Sequence, residues 1–120
     1  MTYRVESPTQ PGLAIHQLIG EALCESKQDR RTEPRYPFFR RISVGLSEGH
    51  RYSAFTREIS ASGIGLVHNF ELAPGEVELS IPSERGCVVR VRTRIVWCKP
   101  CGDGWFLSGG QFIGVMPFGQ

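Results

Sequence analysis

The sequence has no long apolar run and very little lysine. Its apolar stretches are only a few residues long, whereas a transmembrane helix needs about 20 such residues. Residues 1–12 show no apolar block behind a basic start, so we expect no secretory signal and predict a cytoplasmic protein. Lys27 and Lys99 are the two lysines among 14 basic residues, and the net charge is +2. Such a small charge does not favour attachment to a nucleic-acid polymer or a membrane.

Sequence signatures of catalysis are also missing. His16, His50 and His68 fall in different predicted elements and lack metal-ligand spacing. The sequence contains no nucleophile elbow, Walker loop or dinucleotide-binding glycine fingerprint. We therefore expect neither an enzyme nor a metal or cofactor site.

The four cysteines do not change this expectation. Cys98 and Cys101 have the CxxC spacing of zinc and redox sites, and Cys24 and Cys87 stand apart from them. A zinc site needs two more ligands, and no second CxxC or paired histidine follows. We interpret the CxxC segment as a turn between two strands that contains two free thiols.

What the sequence does contain is one helix followed by a β-rich region. The 120 residues suffice for a single core. After a polar arm at residues 1–12, the stretch Leu13–Ser26 carries apolar residues at three- and four-residue spacing. A helix this short is marginal alone, so it must dock on its own domain or on a second copy. The apolar stripe consists of Ile15, Leu18, Ile19, Ala22 and Leu23.

From residue 38 onward the pattern predicts six short strands separated by glycine- and proline-rich turns. Such a series favours an antiparallel barrel or sandwich. The predicted strands are 38–47, 51–60, 63–68, 76–81, 87–98 and 105–115.

The fifth of these strands alternates cleanly. Val89, Val91, Thr93, Ile95 and Trp97 are predicted to face one way, and three arginines at 90, 92 and 94 the other. The simplest interpretation of the arginines is a solvated outer face. The alternative is a surface for RNA or single-stranded DNA, which usually needs interleaved aromatic residues.

Two short motifs flank the first predicted hairpin. Arg31 and Arg35 form an RxxxR motif in the charged connector 28–37, and Glu58, Ser60 and Gly63 form ExSxxG after the second strand. With the strand pattern, these motifs resemble the PilZ domain, a bacterial receptor family for cyclic di-GMP whose motifs are RxxxR and [D/N]xSxxG. The resemblance covers residues 29–118.

The resemblance implies an all-β fold, a small six-stranded antiparallel PilZ-type β-barrel, here with an added N-terminal helix. It divides the chain into residues 1–28 (arm and helix) and 29–118 (barrel domain). It also implies a cyclic di-GMP receptor in bacterial signalling, with a downstream protein as partner. Family members often carry a helix after the barrel, and this sequence ends at Gln120. We expect the N-terminal helix to act as a lid or to mediate a homodimer.

The chemistry of the motifs suits this ligand. Arginine matches phosphates and guanine edges with a fork of donors, and Arg31 and Arg35 in an extended chain reach up to about 13–14 Å apart. Arg30 could add a third contact. Ser60 offers a hydroxyl to a phosphate or base edge. Gly63 would supply a turn conformation that a side chain would block.

Glu58 departs from the family pattern, because it is one methylene longer than the family's aspartate or asparagine. It could still bind the guanine or hold an arginine in place. The alternative is a degenerate PilZ-like protein-interaction module that does not bind the nucleotide. The two motif arginines could likewise be solvated charges paired with Asp29 and Glu33.

Overall fold

The computed structural model describes residues 12–23, 33–47 and 49–115, which form one helix and seven strands. The prediction of six antiparallel strands after an N-terminal helix is confirmed, with one further strand of two residues. The elements are α1 (Gly12–Leu23), β1 (Tyr36–Pro37), β2 (Arg41–Gly45), β3 (Arg51–Ile59), β4 (Gly63–His68), β5 (Gly75–Pro82), β6 (Val88–Gly102) and β7 (Trp105–Val115).

The sheet closes into a barrel. Its strand order is β3-β2-β5-β6-β7-β4, and β4 pairs back onto β3, with every pairing antiparallel. The alternation of apolar and polar residues along the strands puts one side of each strand inside. The interior is mainly apolar, and Val44, Leu66, Leu79 and Val91 are fully buried there.

The first predicted strand, 38–47, corresponds to β2 alone, and β1 lies before it in the segment that was predicted as the connector. Both β1 and β2 lie on the side of β3 opposite β4, since Ile59 pairs with Tyr36 and with Ile64. Pro37 lies opposite Glu58, and Arg41 lies opposite Phe55. The four residue steps from Pro37 to Arg41 therefore span only three residue steps of β3. The extra residue interrupts the ladder at residues 38–40, where the Arg40 N–H donates instead to the Thr56 hydroxyl at 2.8 Å.

The helix docks on its own barrel. Ala14, Ile15 and Leu18 are buried in the same core cluster as the barrel strands. Polar contacts fix its orientation: the Ser83 hydroxyl, just after β5, donates to Glu21 Oε2 at 2.7 Å, and the guanidinium of Arg40 lies 2.9 Å from Glu21 Oε1. The predicted helix extended to Ser26, but residues 24–32 lie outside the described residues. A homodimer through this helix stays a prediction.

The predicted alternation of β6 holds as far as Ile95 and then fails at Trp97. Val89, Val91, Thr93 and Ile95 are buried as expected. Ile95 lies opposite Gly110 and Trp97 opposite Gly109, so Val96 is an extra residue in the strand. After this bulge, the side chains that would have pointed into the barrel point outward, and the reverse. Trp97 is consequently 41% exposed on the outside instead of lying in the core.

The CxxC segment lies in a strand, which corrects the predicted turn. β6 continues through Cys98 and Cys101 to Gly102, and the chain reverses at Asp103, whose φ is 56°. Three residues of strand span about 10 Å, which is too far for a disulfide between these cysteines. Both are free thiols, and no cluster of three or more metal-ligand side chains occurs among the described residues.

The arginines of β6 are partly neutralised by β5. Arg90 Nε lies 2.6 Å from Glu78 Oε2, and Arg94 Nη2 lies 3.3 Å from Glu76 Oε2. Such cross-strand ion pairs support the interpretation of a solvated outer face rather than a nucleic-acid surface. Within the described segments, α1 falls short of the length and hydrophobicity that a membrane-crossing helix requires.

Candidate functional site

Arg35, the described arginine of the RxxxR motif, meets the ExSxxG motif at a cleft on the outside of the barrel. The connector before β1 passes beside the turn between β3 and β4, and the space enclosed is about 460 Å³. Strands β4, β6 and β7 complete its walls. Its lining includes Glu33, Arg35, Glu58, Ser62, Trp97 and Gly110.

Arg35 and Glu58 face each other across this cleft. Tyr36 and Pro37 pair with the end of β3, and this pairing brings the preceding residue next to Glu58. Arg35 Nη1 lies 3.2 Å from Glu58 Oε2, with side-chain exposures of 50% and 30%. An ion pair this exposed contributes less than about 1 kcal/mol to stability. Both groups are therefore open to a competing partner.

Ser60 organises the turn rather than facing the cleft with a free hydroxyl. The Ser60 N–H donates to the Gly63 carbonyl at 2.9 Å, and the Gly63 N–H donates to Ser60 Oγ at 3.1 Å. The residue is buried, at 8% exposure. Ser60 thus holds the cleft's edge in shape, as serines in turns commonly do.

Gly63 is needed for close strand packing and not for the turn conformation that we predicted. Its φ is not among the positive values of the described residues. A Cβ built on Gly63 would lie 2.5 Å from the carbonyl oxygen of Gly110 in β7. Strands β4 and β7 approach too closely there for any side chain.

Glu33 lies in the site, although the sequence analysis considered it only as a solvated charge beside the motif arginines. Its Oε2 accepts from the Ser62 N–H at 2.8 Å and from the Ser62 hydroxyl at 2.7 Å. Hydrogen bonds from the Ser62 hydroxyl, and secondly from Ser60, lower the pKa of Glu33 below its ordinary value. The available signal was its place inside the RxxxR motif, between Arg31 and Arg35.

Arg57 is a second residue that sequence reasoning missed. It occupies a bulge in β3, since Thr56 pairs with Leu66 and Glu58 with the adjacent Gly65. Both Arg57 and Glu58 consequently lie against Gly65, where a Cβ would meet each of them at 3.2 Å. The buried Nε of Arg57 has no hydrogen-bond partner within the described part of the chain. A buried N–H donor without a hydrogen-bond acceptor lowers the stability of the folded protein unless an acceptor is supplied.

Trp97 covers one side of the cleft through the β6 bulge. A Cβ on Gly109 would overlap the indole Nε1 and lie 2.6 Å from Cε2. The ring therefore packs on a backbone that carries no side chain. Its remaining surface is an apolar, partly exposed wall beside the charged residues.

Of the six residues predicted for the site, the structure places Arg35, Glu58, Ser60 and Gly63 at this cleft. Arg30 and Arg31 lie outside the described residues. The charged side chains lining the described part of the cleft are Glu33, Glu58 and Arg35. The described lining thus carries one more negative than positive charge.

One of the comparisons with known proteins identifies a family. The family model for the PilZ domain matches residues 29–116. None of the curated proteins compared with the sequence matches it. Among solved structures, the Bacillus subtilis inhibitor of motility (MotI/DgrA) is similar, with a TM-score of 0.59 and 15% identity over 73% of this chain and 44% of that chain. This chain spans less than half the length of that protein, and the likeness shows the fold alone.

Proposed function

The chain belongs to the PilZ domain family, and from that premise we propose that it binds cyclic di-GMP in the cleft between the connector and the Ser60–Gly63 turn. Cyclic di-GMP is the ligand of this family of modules. The protein would act as a receptor without catalysis, passing the signal to a downstream protein in the bacterial cytoplasm.

The observation that carries the proposal is the meeting of Arg35 and Glu58 across the cleft, at 3.2 Å. The nucleotide offers phosphate oxygens and guanine O6 and N7 as acceptors, which suit the guanidinium of Arg35. The guanine N1–H and N2–H₂ donors suit a carboxylate such as Glu58. The Arg35–Glu58 pair thus supplies both a donor and an acceptor for the nucleotide.

Binding requires more positive charge than the described lining provides. The ligand carries two negative charges, and the lining carries a net negative charge. Arg30 and Arg31 from the connector would supply the missing cations, and Arg57, whose guanidinium lies beside Gly65 of the lining, would add a further one. The connector would fold around the nucleotide, and binding would provide the free energy for that rearrangement.

A path from the connector to the helix exists in the described contacts. Arg40, which follows β1, pairs with Glu21 of α1 at 2.9 Å and donates to the Pro82 carbonyl at 2.7 Å. A shift of the connector would therefore reach the helix through Arg40. We propose that a partner protein binds the surface that is changed in this way.

The second candidate function is a PilZ-like interaction module that does not bind the nucleotide. It is favoured by the internal pairing of both cleft carboxylates, Glu58 with Arg35 and Glu33 with Ser62. A site that satisfies its own charges does not need a ligand.

Calorimetric titration with cyclic di-GMP tests the proposal. We expect the wild-type protein to bind and Arg35→Ala to bind about tenfold to a hundredfold more weakly, because a charged hydrogen bond contributes roughly 1.5–3 kcal/mol. Arg41→Ala removes an exposed arginine that contacts Ser53 and should leave the affinity unchanged. Unchanged binding by Arg35→Ala would refute its assigned role.

A wild-type protein that gives neither heat nor a thermal shift with saturating nucleotide would instead support the interaction module. Glu58→Asp then becomes informative, since it restores the family's shorter carboxylate. Binding gained by that variant would identify the extra methylene as the cause.

A further inference from the structure

Ser62 holds the carboxylate of Glu33. Its backbone N–H and its hydroxyl both donate to a single oxygen, Glu33 Oε2, at 2.8 and 2.7 Å. Two donors that converge on one charged oxygen form the arrangement by which proteins bind phosphate oxygens. The Glu33 carboxylate shows that this part of the turn accepts an anionic oxygen at normal hydrogen-bond distance.

The turn is built so that the Ser62 donors face the cleft. The Ser60 N–H and the Gly63 N–H are used within the turn, on Gly63 O and Ser60 Oγ. The Ser62 carbonyl accepts from the Phe112 N–H at 2.8 Å, which anchors the residue to β7. The N–H and hydroxyl of Ser62 are therefore two hydrogen-bond donors held on the cleft wall, and Ser62 is not part of a freely moving loop.

We propose that the Ser62 N–H and hydroxyl bind a phosphate oxygen of the nucleotide, and that Glu33 occupies this anion site until the ligand displaces it. This inference rests on the proposed function for the identity of the ligand. One oxygen position cannot hold a carboxylate and a phosphate together, and the two anions repel each other. Glu33 is thus an internal competitor that weakens binding.

Loss of Glu33 should not release the rest of the connector. Tyr36 and Pro37 remain paired with β3, and Arg35 remains paired with Glu58. Removing the carboxylate consequently vacates the Ser62 donors while the neighbouring arginine stays in position. The lowered pKa of Glu33 agrees with its being charged at neutral pH.

The anion site can be tested without the nucleotide, by following the Ser62 amide in ¹⁵N NMR spectra during titration with inorganic phosphate. In Glu33→Ala we expect a saturable chemical-shift change of this amide at phosphate concentrations that leave the wild type unsaturated. The affinity of this variant for phosphate should be at least about tenfold higher than that of the wild type. Glu33→Gln should fall between the two. The control Glu71→Ala removes an exposed carboxylate that does not line the cleft and should behave as wild type. No saturable shift at Ser62 in Glu33→Ala would overturn the inference.

Calorimetry with cyclic di-GMP then separates this inference from the proposed function. We expect Glu33→Ala to bind about tenfold more tightly than wild type, and addition of Ser62→Ala to remove part of that gain by deleting one donor. Nucleotide binding that is unchanged or weaker in Glu33→Ala would overturn the inference and leave the proposed function standing. If phosphate saturates Ser62 in Glu33→Ala but no variant binds the nucleotide, the anion site stands and the proposed function fails.

Discussion

Replacing Gly63 with alanine would place a methyl group against the backbone of a neighbouring strand. The new Cβ would lie 2.5 Å from the Gly110 carbonyl oxygen, 3.6 Å from the Gly110 carbonyl carbon and 3.9 Å from the Cα of Gln111. The obstacle is main chain in the paired strand β7, so no side-chain rotation can relieve it. Strands β4 and β7 must separate locally.

The size of the effect follows from this geometry. Overpacking that forces backbone shifts costs about 1–3 kcal/mol. An unfolding entropy of about 2.1 cal/mol/K per residue gives roughly 0.25 kcal/mol/K for a chain of this length, so the melting temperature should fall by about 4–12 °C. Urea denaturation followed by circular dichroism, with a thermal scan beside it, measures both quantities.

Gly65→Ala is the matched control, two residues along the same strand. Its Cβ would meet flexible side-chain atoms, Arg57 Nη2 and Glu58 Cγ, each at 3.2 Å. These can move by a few tenths of an ångström, and we expect a loss below about 1 kcal/mol. If Gly63→Ala proves no less stable than Gly65→Ala, the close approach of β4 and β7 does not explain the glycine.

Two further predictions concern His68 and Trp97. Burial lowers the pKa of His68 from 6.5, so the unfolded chain takes up a proton that the folded protein does not; stability should therefore fall as the pH drops from about 7 to 5.5. His68→Gln should show a smaller fall in urea denaturation, and equal falls would contradict this. Gly109→Ala should displace the Trp97 indole, because the new Cβ overlaps Nε1. The tryptophan emission should change in a Trp105→Phe background, and an unchanged spectrum would exclude the displacement.

The barrel was predictable because its strands follow a simple alternation. Along β6 the buried residues fall at every second position, as an inward face requires: Val89, Val91, Thr93 and Ile95. The bulge at Val96 was not predictable, since it depends on β7 offering Gly109 and Gly110 as partners. One inserted residue then moved Trp97 from the expected core to the cleft. The same strand continues beyond Cys98 to Gly102, where we had predicted a turn.

Site residues that belong to a motif were predictable, whereas residues placed by contacts of the folded chain were not. The RxxxR and ExSxxG patterns brought attention to Arg35 and Glu58, which the β1–β3 pairing places together. Glu33 and Arg57 carry no distinctive spacing, and their roles depend on a hydrogen bond and a bulge formed only in the folded chain. Gly63 was identified correctly as constrained, but the constraint comes from β7, which is distant in sequence.

The long hairpin of β6 and β7 also bears on how the protein avoids aggregation. Strand β5 pairs with β6 only as far as Ile95, so in the described structure the rest of β6 has β7 alone as its hydrogen-bonding neighbour. Such an overhang is a free edge onto which another chain could add a strand. Lys99 and Pro100 lie on it, both exposed. A charge and a residue without an amide hydrogen discourage that addition, so this overhang has its own protection against aggregation.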